Sequence, residues 1–315
     1  MKINKKLVVS INGFPQKIHI WGQDPTNSII LFVHGGPGNP FRHRIRKCLL
    51  PLTDRYIIAA YDQRGVGGSY RKMDPRDLRP SDYVKDIECW AEWLSRRFDQ
   101  KQVYLVGESW GSFIGSLAVA ERPELFKGYI GYGQIVDMKA SLTIQYHLAL
   151  EAALKRGDED KEKTLIGLGE PSDGRFAKKN GLDIFFPLMY QLLEDPDQPS
   201  FLKREIYPFY LSAEYSIKDK INWSKGKALL DAARPSWGID MPSLPEFLGP
   251  SPRFAIPYYV FQGRKDFITP WQQIPDYIEK IEAPKKEAVF FEHSGHVSAF
   301  DEPQRFMDEL RKRFN

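Results

Sequence analysis

The first third of the chain consists of short apolar runs separated by turns, a pattern that predicts β-strands. The runs KLVVSI and QKIHIW flank Asn12 and Gly13, a dipeptide that strongly favours a β-hairpin. The runs at 28–34 and 56–62 are apolar without alternation. Such runs are typical of central strands in a parallel sheet whose two faces are both covered by helices.

Between Ser81 and Phe98 the apolar residues recur every three or four positions, which predicts an amphipathic helix. The strand VYLVG follows, then a helical pattern in SWGSFIGSLAVA, then the strand GYIGYG. This β-α-β-α-β order predicts an α/β fold with a right-handed, mostly parallel sheet and helices on both faces.

The strand rhythm stops after about Gln134 and resumes after about Phe254 with IPYYVFQG and EAVFFE. The intervening segment has helical patterns and Pro-rich joints, and it is too long for an ordinary loop. We therefore expect an α/β core at 1–133 and 255–315, interrupted by a mainly helical cap at 134–254. The closing helix DEPQRFMDELRKRF is expected to begin with a capping box formed by Asp301 and Gln304.

The composition is that of an ordinary globular protein, with 42% hydrophobic and 27% charged residues among 315. The net charge of +4 is small and dispersed, which argues against a nucleic-acid or membrane-surface partner. Cys48 and Cys89 fit neither a metal-ligand spacing nor a disulfide framework. No run resembles a signal peptide or a membrane span, so the expected location is the cytoplasm.

The sequence Gly107-Glu108-Ser109-Trp110-Gly111 joins a predicted strand to a predicted helix. In that context G-x-S-x-G indicates a nucleophile elbow, a tight turn that exposes the serine above the sheet edge. The two glycines leave room for crowded backbone, and the Trp110 N–H can point at a developing oxyanion. Ser109 is therefore the predicted nucleophile.

A serine nucleophile needs a base and an orienting acid, which in this fold follow it along the chain in the order acid, then His. Two histidines follow the last predicted strand. His296 comes after Gly295 on a turn and is favoured as the base over His293. The acid is expected after the preceding strand, which favours Asp266, and Asp137 after an earlier strand is the alternative.

The glycine-rich sequence HGGPG at 34–38 follows the third predicted strand and can direct backbone N–H groups at a substrate oxygen. Gly36 is the predicted second donor of the oxyanion hole. His34 is interpreted as a buried imidazole that holds the loop. Asp62 and Arg64, in DQRGVGGS, are expected to tie loops together through charge-assisted hydrogen bonds.

Five motifs follow one another in the order HGGPG, DQRGVGGS, GESWGS, GRKD and SGH. Together they resemble the proline iminopeptidase (prolyl aminopeptidase) branch of the α/β-hydrolase superfamily, over about residues 28–133 and 256–315. The resemblance implies an α/β-hydrolase fold with a helical cap inserted after the sixth strand, and no metal or organic cofactor. It implies a catalytic triad of Ser109, Asp266 and His296 and an oxyanion hole of Gly36 and Trp110.

The chain departs from the family pattern near the nucleophile and in the cap. Glu108 and Asn39 stand where the family has glycine. Members of the family bind the free amine of the substrate with glutamates of the cap, but no such motif aligns here. The cap glutamates considered are Glu151, Glu205 and Glu214. The residues predicted to contact the substrate are Gly35, Glu214, Tyr215 and Trp223.

These features predict a serine hydrolase that releases N-terminal proline or another small apolar residue from a short peptide through an acyl-enzyme. The alternative is a carboxylesterase or lactonase with an uncharged aromatic pocket, lined by Trp223, Trp237 and the sequence YPFYLSAEY. A third hypothesis, a non-catalytic ligand receptor, is disfavoured because all three triad positions are filled. The expected partner is a small molecule or short peptide, and the sequence does not determine the oligomeric state.

Overall fold

An eight-stranded sheet forms the centre of the protein, as seen in a computed structural model that describes residues 2–195, 204, 206–237 and 241–314. The strands are β1 (Ile3–Ile11), β2 (Phe14–Gly22), β3 (Ser28–Val33), β4 (Tyr56–Tyr61), β5 (Val103–Glu108), β6 (Phe126–Tyr132), β7 (Tyr258–Gly263) and β8 (Lys286–Phe291). Their order across the sheet is β1-β2-β4-β3-β5-β6-β7-β8. All eight strands correspond to apolar runs recognised in the sequence.

The sheet is antiparallel only at its N-terminal edge, where β1 pairs with β2 and β2 with β4. From β4 to β8 every neighbouring pair is parallel. Asn12 and Gly13 make the hairpin turn with φ of 48° and 71°, the left-handed region that this dipeptide tolerates. The predicted α/β fold with a mostly parallel sheet and an antiparallel hairpin is therefore confirmed.

Helices cover both faces of the sheet. Twelve α-helices lie within the described residues: α1 (Arg42–Cys48), α2 (Pro80–Arg97), α3 (Trp110–Glu121), α4 (Met138–Arg156), α5 (Glu159–Leu168), α6 (Gly181–Leu193), α7 (Tyr207–Leu211), α8 (Ile217–Ala233), α9 (Leu244–Leu248), α10 (Ile274–Lys280), α11 (Ser298–Asp301) and α12 (Pro303–Arg313). Ile57 packs into one core with α2, α3 and α10, and Ile58 packs into the opposite core with α1 and α12. This is why β4 is apolar at successive positions.

The described part of 134–254 contributes no strand to the sheet and contains α4 to α9. Helices α4, α5 and α6 share a separate apolar core that includes Tyr146, Leu165 and Phe185. Helix α8 instead packs Leu229 and Leu230 against the main core. The segment therefore has one self-packed part and one part docked on the sheet domain, while the predicted cap boundaries stay a prediction.

The predicted capping box at the last helix is wrong. Helix α12 begins at Pro303, and its N-cap residue Glu302 makes no side-chain capping bond. Asp301 belongs to the separate short helix α11, and its Oδ2 accepts a hydrogen bond from Gly295 N at 3.0 Å. The acidic side chain is thus used to hold a loop and not to cap a helix. No helix in the described ranges is long and apolar enough to cross a membrane.

Candidate active site

The turn between β5 and α3 holds Ser109 in a backbone conformation that serine rarely adopts, with φ 51° and ψ −118°. A side chain on Gly107 would overlap the backbone of Gly111, and one on Gly111 would overlap the carbonyl of Val33. Both glycines are therefore required by close backbone packing. Ser109 N is held by Tyr132 O at 3.0 Å, so the turn is fixed on the sheet.

His296 lies in the loop after β8, with its Nδ1 2.9 Å from Asp266 Oδ2. Burial disfavours the charged ring, but the charge and hydrogen bond of Asp266 outweigh it and raise the pKa of His296 above its ordinary value, with a smaller contribution from Glu108. The Nδ1 contact leaves Nε2 to exchange a proton with a substrate or nucleophile.

Asp266 occupies the loop after β7 and is held by several donors. Its Oδ1 accepts the backbone N–H groups of Ile268 and Thr269 at 2.8 and 2.9 Å. Its Oδ2 accepts from Gln262 Nε2 and Thr269 Oγ1, both at 2.7 Å, besides His296. The alternative acid Asp137 caps α4 through Lys139 N and Ala140 N. Of the two acids considered, the structure pairs Asp266 with His296.

Two carboxylates of the segment at α11 hold the loop that carries His296. Glu302 Oε1 accepts hydrogen bonds from Ser294 Oγ at 2.6 Å and His293 N at 3.2 Å. Asp301 holds Gly295, as described above. His293, the disfavoured base, is exposed and lies at the wall of the same cavity as His296.

His34 is fully buried and connects two loops. Its Nε2 accepts from Gln63 N at 3.0 Å and its Nδ1 lies 2.9 Å from Gly35 O, while Gln63 Nε2 donates to His34 O at 2.6 Å. Burial lowers the pKa of His34 to about 4, so the ring is neutral and structural, as predicted. The neighbouring Asp62 is likewise architectural, since it accepts two hydrogen bonds from the buried Arg42.

Of the two predicted oxyanion donors, Trp110 follows Ser109 directly in the chain. Gly36 lines the cavity in the HGGPG loop. Trp110 is the first residue of α3, where backbone N–H groups lack a partner inside the helix. Its indole points away from the cavity and stacks on Trp237 at 5.6 Å. Trp110 could therefore serve the site through its backbone N–H alone.

A cavity of about 820 Å³ lies where the parallel strands end, and Ser109, Asp266 and His296 all line it. Its volume is typical of small-molecule and peptide sites. The sheet-domain wall includes Gly36 and Arg44. The wall from 134–254 includes Leu148, Tyr190, Leu193, Glu194, Phe209 and Trp223.

Two of the residues predicted to bind substrate do not line this cavity. Glu214 is buried between the N-terminal hairpin and α1, where its carboxylate contacts His19 Nδ1 and Arg46 Nη1, both at 2.6 Å. The hydroxyl of Tyr215 accepts a hydrogen bond from Arg42 N. Both predictions are wrong because these groups are already used to join α7–α8 to the sheet domain.

The other candidates have different positions. Trp223 lines the cavity and donates from Nε1 to Gly38 O at 2.9 Å. Gly35 packs directly on the elbow, where an added Cβ would lie 3.0 Å from Ser109 Cβ. Glu151 is exposed and pairs with Lys155 one turn away. Glu205 lies outside the described residues.

Sequence reasoning assigned no role in the cavity to Arg44, Arg264 and Lys265, which line it together with Glu108. The uncharged aromatic pocket expected under the alternative esterase hypothesis is therefore not the pocket that the structure has. Trp237, expected in that pocket, donates instead to Leu78 O and stays outside it. Within the described ranges no group of three or more His, Cys, Asp or Glu side chains could hold a metal ion.

The chain matches the family model described as alpha/beta hydrolase fold over residues 28–303. It is 25% identical over 311 residues to the probable aminopeptidase YbaC of Bacillus subtilis (strain 168), and the aligned region covers 96% of this chain and 94% of that protein. It is also 36% identical to the proline iminopeptidase of Xanthomonas citri, over 100 residues that make up 32% of this chain and 30% of that protein.

Two solved structures have a similar fold. A proline iminopeptidase-related protein from Thermus thermophilus superposes with a TM-score of 0.64 at 18% identity, covering 98% of this chain and 96% of that chain. An epoxide hydrolase from Vigna radiata superposes with a TM-score of 0.60 at 21% identity, covering 99% of both chains. At such identities the likeness shows the fold alone, which serves proteins named for different hydrolytic reactions.

Proposed function

The chain belongs to the alpha/beta hydrolase family and is a hydrolytic enzyme, and on that premise we propose that it is a serine aminopeptidase. It releases N-terminal proline or another small apolar residue from short peptides. The observation that carries the proposal is a strained serine at the β5–α3 elbow that lines one cavity with an Asp-paired histidine. The full-length relative named as a probable aminopeptidase supports the choice of substrate class.

In the proposed mechanism Ser109 Oγ attacks the carbonyl carbon of the first residue, and His296 Nε2 takes the hydroxyl proton. Asp266 stabilises the resulting imidazolium through Nδ1, the atom it contacts at 2.9 Å. The N–H groups of Gly36 and Trp110 bind the oxyanion. His296 then protonates the departing peptide amine, which leaves an acyl-enzyme on Ser109.

Water completes the cycle by the same steps in reverse order. His296 takes a proton from water, the hydroxide attacks the acyl carbon, and a second oxyanion forms in the same hole. Collapse returns the proton to Ser109 and releases the free amino acid.

The proposal is tested by active-site labelling together with a substrate panel. A fluorophosphonate should label the wild type and leave Ser109→Ala unlabelled, and absence of wild-type labelling would contradict a serine nucleophile. Prolyl and alanyl arylamides should be cleaved, with Ser109→Ala at background. Hydrolysis of short acyl esters without arylamide turnover would refute the aminopeptidase assignment and leave a serine esterase.

A further inference from the structure

In an aminopeptidase substrate the free amine is bonded to the carbon next to the carbonyl under attack. Ordinary bond lengths place the amine nitrogen about 2.5 Å from the carbonyl carbon. The attacking oxygen approaches that carbon to about 3 Å. A protein group that binds the amine through a hydrogen bond of about 2.8 Å must therefore lie within about 8 Å of the nucleophile.

The described wall of the cavity includes six carboxylates, Glu108, Glu194, Asp195, Asp266, Asp301 and Glu302. Three of them are used to place the base, because Asp266 contacts His296 while Asp301 and Glu302 hold its loop. Glu194 and Asp195 follow α6, on the wall formed by 134–254. Of these six residues, only Glu108 is adjacent to the nucleophile Ser109 in the chain.

The side chain of Glu108 is fixed beside the nucleophile. It is only 5% exposed, and its Oε2 accepts a hydrogen bond from Tyr132 at 2.7 Å. Its Oε1 and Ser109 Cβ lie 3.2 and 3.0 Å from the point that a Cβ on Gly35 would occupy. Glu108 Oε1 therefore lies no more than about 6 Å from Ser109 Cβ, and both residues line the cavity.

A fixed negative charge beside the nucleophile favours a substrate that carries a positive charge over a neutral one, because opposite charges attract strongly where little water is present. Arg44 Nη1 lies 4.0 Å from Glu108 Oε1, so the carboxylate stands where the protein already places a cation. An ammonium group on the substrate would form an ion pair with the Glu108 carboxylate at this wall of the cavity. We infer that Glu108 binds the α-ammonium group of the substrate's N-terminal residue and so sets the preference for free amino termini.

This inference rests on the proposed function, and it is tested with two aryl esters that differ only in the amine, an alanyl ester and a propionyl ester. In the wild type, kcat/KM should be higher for the alanyl ester, and the preference should decline as pH rises above about 8, where an α-amine loses its proton. Glu108→Gln keeps the size of the side chain and removes its charge. It should lower the alanyl-to-propionyl ratio by about 10- to 100-fold.

Tyr132→Phe provides a second variant, which leaves the carboxylate but removes the hydrogen bond that orients it, and the ratio should fall by a smaller factor. Glu194→Gln is the matched control, because it removes another cavity carboxylate and should retain the ratio. An equal loss for both esters in Glu108→Gln, or a ratio lost only in Glu194→Gln, would overturn the inference. If the wild type cleaves no arylamide, the aminopeptidase proposal fails, while the ester ratio still decides the role of Glu108.

Discussion

Replacing Asp266 by Asn tests the pairing of acid and base most directly. The carboxylate accepts five hydrogen bonds, two on Oδ1 and three on Oδ2. An amide has one acceptor oxygen, so its NH₂ group must face donors in either orientation. If the oxygen stays toward His296, the backbone N–H groups of Ile268 and Thr269 lose their acceptor. If the amide turns over, the imidazole is forced into the wrong tautomer.

The magnitude follows from the charge that is lost. Two unit charges at the observed 2.9 Å separation attract by about 6 kcal/mol at an effective dielectric constant of about 20. An imidazolium forms in the transition state, so losing this attraction lowers kcat by about 10³- to 10⁴-fold. The lost hydrogen bonds to a buried charged group should also lower the free energy of unfolding by about 2 kcal/mol.

The assay measures kcat for an ester or arylamide substrate, the rate of fluorophosphonate inactivation, and urea unfolding. Asp137→Asn is the matched control, because asparagine caps a helix about as well as aspartate. It should leave activity within about twofold of wild type and barely change stability. A loss of less than about tenfold in Asp266→Asn, or a larger loss in Asp137→Asn, would refute the assignment of the acid.

Three further outcomes follow from the packing and from buried titratable groups. In Gly263→Ala the new methyl group would overlap the carbonyl of Gly295, so the loop that carries the proposed base should shift and kcat should fall by about 100-fold. The control Gly167→Ala lies at an open helical position and should leave kcat unchanged. An equal change in kcat for the two variants would contradict the reasoning. Burial opposes ionisation of Glu214, but the hydrogen bond to His19 and the nearby cations lower the pKa of Glu214 to about 2. The stability that the ionised carboxylate provides is therefore complete above about pH 4.5 and is lost as pH falls toward 2. Glu214→Gln should therefore reduce the free energy of unfolding at pH 7 by about 2 kcal/mol, measured in urea, with kcat nearly unchanged; a stability equal to wild type would contradict this. Burial lowers the pKa of His43 to about 3, so below pH 6.5 the unfolded chain binds a proton that the folded chain does not. The free energy of unfolding should therefore decrease as pH falls from 6.5 toward 3. His43→Phe should reduce the slope of the free energy of unfolding against pH by about one proton, and equal slopes in the two proteins would show that His43 is not responsible.

The local pattern of the sequence was sufficient to predict every strand of the sheet and the elements that carry Ser109, Asp266 and His296. This succeeded because strands buried on both faces need continuous apolar runs, and because parallel strands bring the loops after their ends to one edge of the sheet. The two glycines of the elbow could be recognised because close backbone packing excludes any side chain there.

Tertiary structure alone decided the partners of side chains that are distant in the sequence. Glu214 is separated from His19 by 195 positions, and nothing in the local sequence indicates that its carboxylate joins α7–α8 to the hairpin instead of facing the cavity. Asp301 has the spacing of a helix cap, yet it bonds the backbone of the loop that carries His296. Periodicity and turn chemistry act over a few residues, whereas the pairing of a buried charge depends on which surfaces meet when the chain folds. The sequence by itself thus determined the strands and the elements that carry the proposed triad. Packing between distant segments decided the order of the strands and which carboxylates remain at the wall of the cavity, Glu108 among them.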